Sequence, residues 1–138
     1  MRGNRQRKNR LPIPVEGGIT LDELIARIQA WRSRPLTVRE EPMLVSDTYV
    51  LSGLWLNTEH GDIVLHAPTE SPLHREQFIL HEMAHILLGH GGVTPDELEA
   101  GTAGHNNADC EREAEDLADY LAEVMRHPRS TSFGRVFG

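Results

Sequence analysis

Two histidines four residues apart, His81 and His85, bracket Glu82 in the stretch HEMAHILLGH, residues 81–90. On an α-helix such positions stand one turn above each other on a shared face, so both imidazoles can grip a single ion. Glu82 lies beside them, within reach of a water on that ion without being a ligand. This is the pattern of a hydrolytic zinc site, in which the metal brings the pKa of its water down to about 7. Glu82 would take that proton and return it to the leaving amine of a cleaved peptide.

Two histidines rarely hold zinc tightly, and a catalytic site needs a third protein ligand. A histidine at the spacing HExxHxxGxxH is missing, because Gly89 and His90 follow His85 by four and five residues. Carboxylates are available in Cys110-Glu111-Arg112-Glu113-Ala114-Glu115-Asp116-Leu117-Ala118. At about 100° per residue, the apolar face of that segment centres between Leu121 and Met125; Glu111 falls roughly 65° from the centre, Glu113 and Glu115 roughly 100°. Glu111 is the expected third ligand, with Glu113 the alternate. Glu115, one turn after Glu111, is expected to orient a ligand histidine. Asp116, Asp119 and Glu123 belong to a solvated face. A donor to the developing oxyanion is also needed, and His66, His90, His105 and Tyr120 are equal candidates. Cys110 falls on the core side of the wheel, where inert packing is expected; its thiolate reaching the zinc is the alternative.

These residues need elements to hold them. Thr20 and Glu23 form a capping box that opens a helix over about 21–33, with Leu21, Leu24, Ile25, Ile28 and Trp31 on one face. Three β-like runs follow, at 36–39, 48–56 and 62–66, separated by turn residues at Glu41-Pro42 and at Asn57 with Gly61. Ser71-Pro72 starts the histidine helix and Gly89 ends it near Leu88. Thr94 and Glu97 cap a short helix to about Ala100. The last helix runs from about Asp109 to Arg126, burying Ala114, Leu117, Ala118, Leu121, Ala122 and Met125. The expected fold is α+β, a small, mainly antiparallel sheet packed on the histidine helix and the C-terminal glutamate helix. An extended substrate would pair with the 62–66 strand as a sheet edge.

A length of 138 residues suits one domain. It is expected over 19–127, between a flexible basic segment, 1–18, and a loose tail, 128–138. Five of the 14 Lys and Arg lie in the first ten residues, leaving nine against 21 acids in the remainder. So acidic a body is a poor general binder of nucleic acid, and the basic arm reads as solubilising. One cysteine, Cys110, excludes an internal disulfide and favours a reducing, cytoplasmic setting. The N-terminus lacks the apolar stretch of a secretory signal. No apolar run approaches the roughly 20 residues of a membrane span.

HEMAHILLGH, followed 26 residues after His85 by Glu111-x-x-Ala114-Glu115-x-Leu117-Ala118, resembles the ImmA/IrrE family of bacterial and phage metallopeptidases. Those proteins pair HExxH with a downstream E-x-x-A-[ND]-x-F-A helix. The resemblance covers residues of about 48–125. It implies a minimal zincin-like fold of the gluzincin kind, zinc held by His81, His85 and Glu111, and Glu82 as catalytic acid and base. It also implies a helix-turn-helix transcriptional repressor as protein substrate. Three departures mark a short, divergent member: Glu115 replaces Asn or Asp, Leu117 replaces the aromatic, and Ala122-Glu123-Val124-Met125 stands where Leu-Met-Pro is usual. The competing expectation is a zinc-containing regulatory or protein-binding module that keeps the fold and cleaves nothing. A closed structural zinc site would need a fourth protein ligand, and three are apparent.

Overall fold

Thr20 accepts a hydrogen bond from the Glu23 N–H while the Glu23 carboxylate accepts from the Thr20 N–H, so the first helix opens on the expected reciprocal cap. This is α1, Leu21–Arg32, which buries Leu24 and Ile28 and ends at Ser33 in the left-handed conformation. Its buried stripe is narrower than the apolar spacing suggests, and Trp31 stays exposed. The computed structural model describes residues 11–47, 50–101 and 107–129. Most of the basic N-terminal arm, Thr48, His105 and the end of the C-terminal tail lie outside the described residues.

The remaining elements are β1 (Leu36–Glu40), a 3₁₀ turn (Pro42–Leu44), β2 (Gly53–Thr58), β3 (Gly61–His66), α2 (Pro72–Leu88), α3 (Pro95–Glu99) and α4 (Ala108–Arg126). The architecture is thus α+β, four helices and one three-stranded sheet among the described residues. Strand order is β1–β3–β2. A tight turn joins β2 to β3 antiparallel, with Trp55 opposite Val64, while β1 runs parallel to β3, with Val38 opposite Val64. The sheet is therefore mixed, not mainly antiparallel. Turn residues between the three runs favour an antiparallel sheet, because neighbours in sequence joined by turns usually pair antiparallel. Instead β2 lies on the far side of β3 from β1.

Alternation along the strands divides the core in two. Leu36, Trp55 and Val64 face the helices and join Leu24, Ile28, Ile79, Leu80, Met83, Leu117 and Leu121. Leu54, Leu56 and Leu65 face the other way and pack with Leu44 and Ala67. Ala84, Ala114 and Ala118 are fully buried in the main core, where α2 and α4 pack along each other. Side chains no larger than a methyl let the two backbones approach closely. Residues 11–18 differ from the flexible lead-in expected. Ile13 is buried in the main core, and the Gly18 N–H donates to the Val124 carbonyl. Prolines and glycines erase periodicity there without removing the apolar anchors.

Asp62, 1% exposed, fixes α1 to the sheet. It accepts from Arg32 Nε at 2.6 Å, Arg32 Nη2 at 3.1 Å and Trp55 Nε1 at 3.0 Å. The Arg32 guanidinium also sits 5.4 Å from the Trp55 ring centre. Breaking such a pair strands the remaining charge. Asp62→Ala should lower unfolding free energy by about 3 kcal/mol, read from the urea midpoint at unchanged slope. A loss below about 1 kcal/mol would show that solvent takes over the arginine.

Candidate metal centre

Ser71 caps α2 by accepting from the His74 N–H, Pro72 occupies its first turn, and Gly89 ends it in the left-handed conformation. The helix therefore runs unbroken through His81 and His85 and holds them on one face. Asn107 caps α4 by accepting from the Cys110 N–H, which starts that helix three residues before Glu111. With α2 and α4 packed together, the first turn of α4 is set against the C-terminal half of α2.

His81, His85 and Glu111 meet there. His81 Nε2 lies 3.0 Å from Glu111 Oε1, His85 Nε2 lies 3.1 Å from Glu111 Oε2, and the two imidazole Nε2 atoms are 3.2 Å apart. Glu115 Oε1 sits 2.9 Å from His81 Nδ1. The last contact sets a tautomer. A carboxylate only accepts, so His81 donates through Nδ1–H, and a neutral His81 then carries its lone pair on Nε2.

That lone pair points at a carboxylate oxygen, and two acceptors at 3.0 Å repel. A proton on His81 Nε2 relieves that contact but leaves the lone pair of His85 facing Glu111 Oε2. A proton on His85 Nε2 would in turn face the His81 proton across 3.2 Å. As long as Glu111 is a carboxylate, no placement of protons on the two imidazoles satisfies all three contacts, whereas one cation between the donors does. An ion bonded tetrahedrally at about 2.0–2.1 Å needs donors roughly 3.3 Å apart, so these atoms need spread by only a few tenths of an ångström. The donors, two nitrogens and one carboxylate, match a catalytic zinc set. These residues are positioned to hold a metal ion.

Electrostatics follow the same logic. Burial works against charge on His81, but the carboxylates of Glu82, Glu111 and Glu115 outweigh it and hold its pKa above the ordinary value. Burial is also foremost at His85, where it acts with His81 and His90 against Glu111 and lowers the pKa. His85 thus favours the neutral, ligating form. Glu82 is 8% exposed, and burial, assisted by Glu111 and opposed by His81, pushes its pKa up to about 7. Gly53 of β2 is the reason it fits. A Cβ there would lie 2.9 Å from Glu82 Cγ and 3.0 Å from its Oε2, so only glycine leaves this carboxylate its place.

The other expected residues separate. Glu113 points to His90, with Oε1 3.0 Å from His90 Nε2, and not to the pair of ligand histidines. His66 is buried with Nδ1 3.1 Å from the Ala67 carbonyl, and Tyr120 packs on the main core. Both ring nitrogens of His90 are engaged, by Glu113 and by His85. Cys110 is half-buried, not packed in the core, and groups with His90 and Glu113 rather than with the first three ligands. A helical wheel marks the apolar side of α4 but not how far along the helix its neighbours cover that side. The part of His90, which bonds His85 Nδ1 through its own Nδ1 at 2.9 Å, went unread.

Glu115 fixes the His81 tautomer, so Glu115→Gln should weaken zinc binding about 10- to 100-fold, measured by competition with a chromophoric chelator. Unchanged affinity would mean that the contact has no bearing on the ligand. No family model, curated protein or solved structure matches the chain, so a functional reading rests on its residues and their geometry.

Proposed function

We propose that this protein is a zinc-dependent endopeptidase of the ImmA/IrrE type, acting on a protein substrate such as a helix-turn-helix repressor. The observation that carries the reading is the pairing of a three-donor cluster with a buried glutamate beside it. A structural site would close the fourth position with protein; among the described residues three donors group here, which suits a fourth position taken by water. His81, His85 and Glu111 would hold the zinc, which when bound would supply a Lewis acid for hydrolysis near neutral pH.

The residues of the chain do the rest. Glu82, with a pKa raised to about 7, is poised to take a proton from water and later pass it to an amine, a reversible task that suits a pKa near the working pH. Gly53 keeps the carboxylate in place. Glu115 holds His81 as a lone-pair donor at Nε2.

The expected seat of the substrate moves. β3 is the central strand, hydrogen-bonded on both sides, so residues 62–66 cannot accept a peptide. The edge next to Glu82 is β2. Val93 bonds its Trp55–Asn57 portion, and Gly53–Leu54 carries the edge nearest the glutamate. A peptide added at Gly53–Leu54 would present alternate side chains to the two faces of the sheet. One set would approach the metal ligands. The other would meet the apolar groove of about 380 Å³ lined by Met43, Leu44, Leu51, Leu54, Leu56 and Leu65.

The test is zinc-loaded protein incubated with a degenerate peptide library and a panel of helix-turn-helix repressors, with products read by mass spectrometry. Wild type should yield defined cuts. Glu82→Gln should keep its zinc and lose activity at least 100-fold. Cleavage that persists in Glu82→Gln would remove the proposed role of Glu82. Repressor binding without cleavage in wild type would establish the non-catalytic alternative.

A further inference from the structure

His90 lies one residue beyond the left-handed Gly89 that ends α2. Its N–H donates to the His85 carbonyl, and its side chain is only 8% exposed. One ring nitrogen, Nδ1, bonds His85 Nδ1 at 2.9 Å; the other, Nε2, faces Glu113 Oε1 at 3.0 Å. Cys110, three residues before Glu113 on α4, stands on the same helix face. The ligand atoms of His90, Cys110 and Glu113 all lie within 4.8 Å of one another.

We propose that His90, Cys110 and Glu113 form a second metal site, distinct from the first, for a borderline-soft divalent ion, zinc foremost. Nitrogen, thiolate and carboxylate together suit zinc and disfavour magnesium or calcium, which take oxygen ligands. Binding displaces the thiol proton to solvent, since the thiolate is the ligand.

The two sites oppose each other, a consequence that rests on His85 serving the first centre. A neutral imidazole that ligates through Nε2 keeps its proton on Nδ1. With only the first centre filled, His85 Nδ1–H donates to His90 Nδ1. With only the second filled, His90 Nδ1–H donates to His85 Nδ1. With both filled, two N–H groups face each other across 2.9 Å. The second ion must therefore force the rings apart, and it binds more weakly while the first is present. Excess zinc would thereby act as an antagonist of the first centre.

Cobalt(II) is the probe, because a cobalt–thiolate bond adds a near-ultraviolet charge-transfer band that nitrogen and oxygen ligands do not give. Titration of the whole chain should fill a visible d–d band first and the thiolate band at higher cobalt. Cys110→Ser should abolish the thiolate band and leave the first phase. His90→Ala should weaken the thiolate phase strongly. His81→Ala should cripple the first centre while the thiolate band forms at about tenfold lower cobalt, the opposed N–H having gone. Absence of any thiolate band, or one indifferent to His90→Ala, overturns the site. An unchanged midpoint in His81→Ala overturns the coupling. Because no cleavage is measured, and the thiolate band is expected even in His81→Ala, these results are separable from failure of the peptidase reading.

Discussion

Three hydrogen-bond acceptors drawn within about three ångströms of one another by two packed helices make a problem that a shared cation resolves. The nitrogens of His81 and His85 and the carboxylate of Glu111 are in that position because α2 and α4 pack on a core of small and branched apolar side chains. The cluster is held from outside, since neither helix can withdraw without exposing Ile79, Met83, Leu117 and Leu121. The packing supplies the force and the cation removes the repulsion. In this sense, the metal-binding disposition is a property of the hydrophobic core as much as of the ligands.

Around that cluster each neighbour restricts one degree of freedom. Glu115 selects a tautomer for His81, and His90 does the same for His85 from the other side. Gly53 leaves room for Glu82 by lacking a side chain. Asp62 is remote from the cluster but holds α1 on the sheet through Arg32 and Trp55, which keeps the strand carrying Gly53 under α2. These contacts make the arrangement more specific than a pair of histidines that happen to share a helix face.

Much of this was legible in the residues. Caps at Thr20, Ser71 and Thr94 announced three helices, because a side chain that satisfies an orphan N–H is a local device readable without the fold. Helical period alone put His81 over His85, and the wheel separated Glu111 with Glu115 from Asp116. What escaped was non-local. Strand order depends on the path the chain takes between strands, and no pattern within β1, β2 or β3 encodes that their sheet is mixed. The placement of His90 depends on how a helix end meets the start of another, so its link to His85 and Glu113 appears only in three dimensions. Ile13 shows the same limit, since an isolated apolar residue among prolines carries no period.

Metal uptake by the first cluster through both helices is what the packing of α2 against α4 predicts. Elemental analysis of purified wild type, His81→Ala and Glu111→Ala, each confirmed folded by circular dichroism, is the most direct measurement. Near-stoichiometric zinc in wild type and its loss from both variants is the predicted result. Zinc retained by either folded variant, or none acquired by wild type after zinc loading and desalting, would contradict it.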